Sequence, residues 1–168
     1  MEYNEILASL RYALHIKNAE VRELITAGGG TISAIQVVQI LHKDDHAEYL
    51  ICTPAWLHQF LDGLTLQRRG PREGAAPQFD LDSLDNNMIL RKIRIAFELK
   101  DTDIIRILKS TGFNLSKSEL GAMSRKKGHV NYMKCGDQLL RYLLRGLAKT
   151  YRPEGIIKTT PRGHFKQG

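Results

Sequence analysis

The chain has 168 residues, of which 42% are hydrophobic, and its formal net charge is +7 at pH 7. This length fits one compact domain or two small ones. No apolar run approaches the ~18 residues of a membrane-spanning helix, and the first residues lack the basic start and apolar core of a signal peptide. We therefore expect a cytoplasmic protein with no membrane segment and with its two cysteines as reduced thiols. The positive charge favours an acidic partner.

The chain contains a tandem repeat. When the sequence is shifted by 83 residues, residues 4–69 align with 87–152 without a gap, and 17 of the 66 aligned positions are identical. Such a repeat has to be found before a fold is predicted. The predicted parts are a first unit over 1–70, an acidic linker over 71–86, a second unit over 87–153 and a flexible basic tail over 154–168.

Each unit is predicted to contain four helices. In the first unit, Thr53 is a candidate cap for a fourth helix that begins at Pro54. In the second unit, Gly112 suits the left-handed position after the second helix, and Ser116 with Glu119 forms a capping box for the third. Because no segment alternates with β-branched enrichment, we expect an all-α protein.

Three segments of the second unit also resemble a known family: residues 86–108, 112–132 and 134–147 are similar to the YehS-like bacterial proteins, a domain of unknown function numbered 1456. The resemblance covers residues 3–152. It implies an α-helical protein in which the unit occurs twice, and it implies no activity and no catalytic residue. The first unit matches less completely, since Pro54 stands where the second unit has an aspartate.

We expect the two units to pack together about a possible pseudo-two-fold axis. Two pairs of identical cations recur near the end of the first helix of each unit, and these are candidates for tying the units together. The pairs are Arg11/Arg94 and Lys17/Lys100.

A His/Tyr/Cys motif occurs twice, as His46–Cys52 and His129–Cys135. One interpretation is a zinc site that takes both histidines and both cysteines if the units meet about the pseudo-two-fold axis. Another is a thiol nucleophile, which needs a nearby base and a lowered pKa. We favour a structural joint, in which Tyr and Cys pack between helices three and four while His bonds a backbone group. We therefore expect no metal, no cofactor and no catalytic residue.

Two other motifs also have a structural and a functional interpretation. The glycines of AGGGTIS, residues 27–33, could hold a phosphate, but no strand precedes them, so we favour a helix end. The segment 102–128 could be a DNA-binding helix-turn-helix. Few of its side chains suit base edges, and the same pattern joins any two packed helices, so we favour a plain connection.

The positive charge is concentrated in the second unit. Residues 3–70 have a net charge of −1 and residues 71–86 have −3, whereas residues 87–153 have +10. Folding stability gives no reason for such a difference between two equivalent units, but a polyanionic partner does.

The cations of the second unit form two groups, one on the last helix and one after the third helix. The last helix has them at a helical spacing beside its leucine face, and Tyr142 and Tyr151 lie near enough to stack on bases. A solvated basic face, or one neutralised by the linker, is the alternative interpretation. The predicted nucleic-acid contacts are Arg125, Lys126, Lys127, Arg141, Arg145, Lys149 and Arg152.

We therefore predict a non-enzymatic protein that binds nucleic acid through phosphate contacts, with RNA slightly favoured over DNA. The alternative is an adaptor that docks an acidic protein partner on the same surface. An enzyme or metalloprotein that uses His129 and Cys135 is a third and weaker hypothesis.

Overall fold

The computed structural model describes residues 1–71, 73–74 and 80–152, and within these residues it contains eight α-helices and no strand. The predicted all-α class is confirmed. The predicted tail and part of the linker lie outside the described residues. The helices are α1 (Tyr3–Leu14), α2 (Asn18–Ala27), α3 (Ala34–Ile40) and α4 (Pro54–Arg69), then α5 (Asn86–Ala96), α6 (Asp101–Ser110), α7 (Lys117–Met123) and α8 (Asp137–Tyr151).

Three of the helix ends follow the local sequence signals named above. The cap of α6 does not: Lys100 precedes this helix, and Asp101, which was a candidate cap, is its first residue. The hydroxyl of Thr53 accepts a backbone N–H of the first turn of α4, and Pro54 is the first residue of that helix. The Ser116 hydroxyl accepts the N–H of Glu119 at 3.0 Å, while the Glu119 carboxylate accepts the N–H of Ser116 at 3.1 Å. Gly112 follows α6 with a φ of +92°. The capping side chains satisfy amides that an isolated helix end would leave without partners.

The two units pack about a pseudo-two-fold axis. Helix α1 packs against α8, and the repeat counterparts of these helices, α5 and α4, pack against each other. The outer helices follow the same rule, since α2 packs on α4 and α6 packs on α8. Even an unusual backbone conformation is repeated, because His15 after α1 and Glu98 after α5 have φ angles of 53° and 54°. The buried hydrophobic side chains of both units belong to one continuous cluster.

Close contacts between helices explain one of the identical pairs of the repeat. A Cβ atom added to Gly63 on α4 would lie 1.8 Å from the carbonyl oxygen of Leu24 on α2. At the equivalent crossing, a Cβ atom on Gly146 would lie 2.4 Å from the Cγ2 atom of Ile107 on α6. The last helix of each unit therefore needs a glycine where it crosses the second helix.

Two of the side-chain contacts between the units involve a buried cation. The ammonium group of Lys92 on α5 lies 2.5 Å from the carboxylate of Asp62 on α4, and Lys92 is buried. Arg152 donates a hydrogen bond of 2.7 Å to the carbonyl of Tyr12 and lies over the Tyr12 ring at 3.9 Å. Because Arg152 is only 7% exposed, it belongs to the unit interface and not to an open basic face.

The two arginines expected to tie the units together instead act within each unit. Arg11 donates a hydrogen bond of 3.0 Å to Asn18, and Arg94 forms an ion pair of 2.5 Å with Asp101. Both contacts join the first helix of a unit to the start of its second helix. Lys17 and Lys100 precede the second helices, and their backbone N–H groups bond to carboxylates of the first turn. None of the described helices combines the length and the hydropathy that crossing a membrane requires.

Candidate functional site

An asparagine holds the His/Tyr/Cys joint of the first unit. The side-chain amide of Asn4 donates to the carbonyl of Ile40 at 2.9 Å and to the carbonyl of Leu50 at 2.8 Å. Its Oδ1 atom accepts the backbone N–H of Cys52 at 2.9 Å. Asn4 therefore connects α1 to the end of α3 and to the segment that leads into α4.

Asn87 makes the same three hydrogen bonds in the second unit. It donates to the carbonyls of Met123 and Met133 at 3.0 and 2.9 Å, and it accepts the N–H of Cys135 at 2.9 Å. The occurrence of asparagine at equivalent positions of both units was the sequence signal for a shared structural role. The sequence did not reveal its hydrogen-bond partners, because they lie far away in the chain. Each joint is therefore attached to α1 or α5 by hydrogen bonds, in addition to connecting the third and fourth helices of its unit.

The geometry of the cysteines and histidines is that of a structural joint. Cys52 and Cys135 are 1% and 0% exposed, and burial raises the pKa of both thiols to about 12. A thiol nucleophile needs the opposite shift. The Nδ1 atom of His46 accepts the N–H of Glu48 at 3.0 Å, and His129 makes the equivalent bond at 3.1 Å. The predicted bond from His to the backbone is thus present in both units.

The hypothetical zinc site of two histidines and two cysteines is not formed. Within residues 1–71, 73–74 and 80–152, the cluster of three potential metal ligands that lie within 4.8 Å of one another is a different set, made of His42, His46 and Glu48. The buried cysteines take no part in it. The four residues of the hypothetical site occupy two separate joints.

Two of the three glycines of the AGGGTIS segment serve packing, and the third, Gly29, has a φ of +92°. Gly28 ends α2 and lies so close to α4 that an added Cβ atom would be 1.9 Å from the carbonyl oxygen of Gln59. A Cβ atom on Gly30 would lie 2.3 Å from the side chain of the same glutamine. The predicted helix end is confirmed, and contact with α4 explains why small residues stand there.

A groove of about 550 Å³ lies in the second unit between α5 and the segment that follows α7. Its charged lining residues are five cations and one carboxylate. Apolar side chains of α5 and α7 and the ring of Tyr132 complete its wall. We call this the basic groove, and its charged residues are Arg91, Arg94, Arg125, Lys126, Lys127 and Asp85.

The first unit has a groove of about 540 Å³ at the equivalent place, and its charge is reversed. Four carboxylates and one lysine line it. Ala8 stands where the basic groove has Arg91, and Asp44 stands where it has Lys127. We call this the acidic groove, and its charged residues are Glu2, Glu5, Asp44, Asp45 and Lys43.

The comparisons with known proteins identify the family but no activity. A family model described as "Protein of unknown function (DUF1456)" matches residues 3–70 and 86–153. The chain belongs to this family. It is 40% identical over 145 residues to the "Uncharacterized protein YehS" of Escherichia coli (strain K12), an alignment that covers 86% of this chain and 93% of that protein. No solved structure matches the chain.

The two DUF1456 units thus share one fold and differ in the charge of their grooves. Three of the predicted nucleic-acid contacts, Arg125, Lys126 and Lys127, are exposed and line the basic groove. Arg91 and Arg94 on α5 also line it, although neither was among the predicted contacts. The replacement of Ala8 by Arg91 between the two units was a signal that could have found the first of them.

The predicted contacts on α8 form a separate surface, since the basic groove is lined by α5, α7 and the adjoining segments. Arg141 and Arg145 are half-buried, and Arg145 lies over the ring of Tyr142 at 5.4 Å. Lys149 donates a hydrogen bond of 3.0 Å to the carbonyl of Ser110 at the end of α6. Lys149 therefore helps to hold α8 to α6, whereas the contact of Arg145 with Tyr142 lies within α8.

The two tyrosines expected to stack on bases contact phenylalanines of the second unit. The Tyr142 ring lies 5.5 Å from that of Phe113, and the Tyr151 ring lies 5.1 Å from that of Phe97. Tyr132 is the aromatic residue that lines the basic groove.

Proposed function

We propose that the protein binds nucleic acid without catalysing a reaction, and that the basic groove is its main contact surface. The observation that carries this proposal is the reversal of charge between two equivalent grooves. Both grooves are built on the same asparagine-held joint, so the fold does not require either charge. Five cations around one concave surface repel one another in the free protein, and phosphates relieve that repulsion.

Single-stranded RNA is slightly favoured over duplex DNA as the ligand. The groove of about 550 Å³ is large enough to hold one nucleotide. Single strands are commonly held by a basic groove with an aromatic side chain on which a base stacks. Tyr132 lines this groove, as do the exposed cations Arg91, Arg125, Lys126 and Lys127. In this proposal the tyrosine stacks on a base and the cations contact phosphates.

The cations of α8 form a second, weaker contact surface in this proposal. Arg141, Arg145 and Lys149 keep part of their side chains exposed. Arg152 is left out because it is buried against Tyr12, and Arg94 contributes less because it pairs with Asp101. The two surfaces give separate variants for an experiment.

An adaptor that docks an acidic protein segment is the second candidate. The observation that favours it is the apolar part of the groove wall, which includes Met88, Ile95 and Met123. An acidic peptide with a hydrophobic residue could bury that residue there, whereas a phosphate backbone makes no use of it. The two candidates differ in how strongly binding depends on salt.

The test is binding of labelled single-stranded RNA and of duplex DNA over a salt series. Log affinity is expected to fall linearly with log salt concentration, as counterions are released from phosphates. An Arg91→Glu/Lys126→Glu/Lys127→Glu variant should lose at least about tenfold in affinity for RNA, and an Arg141→Glu/Arg145→Glu/Lys149→Glu variant should lose less.

The first unit supplies a matched control, because Lys43 is the repeat counterpart of Lys126. Lys43→Glu should leave RNA affinity unchanged. If the groove variant binds RNA as tightly as the native protein, the proposed surface is wrong. Binding of an acidic peptide with little salt dependence, together with no RNA binding, would favour the adaptor.

A further inference from the structure

Two imidazole rings stack on each other beside the acidic groove. The ring centroids of His42 and His46 are 3.7 Å apart, and the ring planes are 12° from parallel. Glu48 joins this pair, so that each of the three residues offers a ligand atom within 4.8 Å of the others. We propose that His42, His46 and Glu48 form a site for a divalent transition-metal ion, of which Zn²⁺ is the most suitable.

The donor set fits this class of metal. Two imidazole nitrogens and one carboxylate oxygen are ligands that zinc accepts, with water in the remaining position. Calcium and magnesium prefer oxygen ligands alone. All three ligands come from one short segment after α3. The two rings have to turn out of their stack for one nitrogen of each to point at the same ion.

The electrostatic surroundings attract a cation. His42 itself lines the acidic groove, and the other charged lining residues include two aspartates between His42 and His46 in the sequence, Asp44 and Asp45. These carboxylates make the local potential negative, which raises the concentration of divalent ions near the imidazoles. The basic groove offers no such field.

Comparison of the two units separates what the joint needs from what it does not. His129, the counterpart of His46, accepts the same backbone hydrogen bond, so this histidine serves the joint in both units. The counterparts of His42 and Glu48 are Arg125 and Asn131, which cannot complete a metal site. The fold therefore does not explain the two additional ligands of the first unit.

Metal binding by His46 requires the loss of a hydrogen bond, and this loss lowers the affinity for the metal. The Nδ1 atom of His46 accepts the N–H of Glu48, so the neutral ring carries its proton on Nε2. A metal needs a nitrogen lone pair, and the only lone pair of this ring is used by the backbone bond. Either nitrogen can bind the metal only if that hydrogen bond is given up. We therefore expect a dissociation constant of roughly micromolar size, weaker than that of a pre-formed zinc site.

The test is calorimetric titration of the full chain, without an affinity tag, with Zn²⁺, together with the visible absorption spectrum of the Co²⁺ form. We expect one ion per chain. His42→Ala and Glu48→Gln should each weaken Zn²⁺ binding by at least about tenfold. Neither side chain is needed for the joint, so both variants should fold, which thermal melting can verify.

The matched control is His129→Ala, which removes the same joint hydrogen bond from the second unit and should leave Zn²⁺ affinity unchanged. The proposal is overturned if Zn²⁺ binds the His42→Ala variant as tightly as the native protein. It is equally overturned if His129→Ala weakens binding as much as His42→Ala. Because RNA binding is measured separately, either result leaves the basic groove unaffected.

Discussion

The Oδ1 atom of Asn4 accepts the backbone N–H of Cys52 at 2.9 Å. Asn4 lies in the first turn of α1, whereas Cys52 precedes α4, so the bond spans most of the first unit. The same side chain donates to two carbonyls, and it is 6% exposed. The joint that looks like a His/Tyr/Cys motif in the sequence therefore depends on an asparagine that stands almost fifty residues earlier.

Removal of this asparagine should destabilise the protein strongly. We expect Asn4→Ala to lower the free energy of unfolding by about 3 kcal/mol, because it leaves buried carbonyl and N–H groups without their partner. Asn4→Asp should also destabilise, since it keeps the acceptor but loses both donors. Urea unfolding measures both effects. Asn114→Ala is the control at an exposed asparagine and should change stability by less than about 0.5 kcal/mol. If the Asn4→Ala variant were as stable as the native protein, the hydrogen bonds of Asn4 would not contribute to stability.

Substitution by alanine should have opposite effects on stability at two helical glycines, one at the crossing of α2 and α4 and one in open space on α7. Gly63→Ala should lower the free energy of unfolding by about 3 kcal/mol, because its Cβ atom would overlap the backbone of Leu24. Gly121→Ala in α7 meets no atom within 4 Å and should raise stability by up to about 1 kcal/mol through helix propensity. Thermal melting of the two variants checks the prediction. A Gly63→Ala variant as stable as Gly121→Ala would contradict the close crossing.

The buried thiols predict a loss of stability at alkaline pH. Burial raises the pKa of Cys52 from 9.0 to about 12, so between these values the unfolded thiol is ionised while the folded thiol keeps its proton. The unfolded state then binds fewer protons, and stability falls as pH rises through this window. At about pH 10.5 the loss should be about 2 kcal/mol for a thiol.

The check on this thiol effect is urea unfolding at about pH 8 and about pH 10.5 for the native protein and for Cys52→Ala. The loss of stability at alkaline pH should be smaller in the variant, because it lacks this thiol. Titration of tyrosines and lysines is common to both proteins and cancels in the comparison. An equal loss in the two proteins would show that Cys52 ionises normally in the folded state. A thiol reagent gives a second readout, since both cysteines should react slowly until the protein unfolds.

The ion pair at the unit interface should respond differently to removal of each partner. Lys92 is 5% exposed, whereas 40% of the Asp62 side chain is exposed. We expect Asp62→Ala to cost about 2 kcal/mol, because it takes a close carboxylate away from a buried ammonium. Lys92→Met should cost less, since it removes the buried charge and leaves Asp62 next to water. Denaturant unfolding of the two variants decides this, and a larger cost for Lys92→Met would reverse the interpretation.

Several features of the site could be predicted from the sequence because they depend on neighbours in the chain. The three cations after α7 are consecutive in sequence, so they lie close to one another whatever the tertiary fold. Arg91 and Lys126, in contrast, are 35 residues apart in the numbering and line one groove only because α5 packs next to the end of α7. Arg152 follows the spacing of the α8 cations, but it is buried because α1 of the other unit packs over it.

By itself, the sequence determined that this protein is an all-α tandem repeat with most of its positive charge in the second unit. Helical periodicity, capping residues and repeat identity are short-range or alignable signals, so no tertiary contact is needed to find them. Only the tertiary structure decided that the unit fold creates two equivalent grooves of opposite charge, and that His42 stacks on His46 beside the acidic one. The physical reason is that exposure and proximity of side chains depend on how separate helices pack, and that packing depends on contacts between residues far apart in the chain.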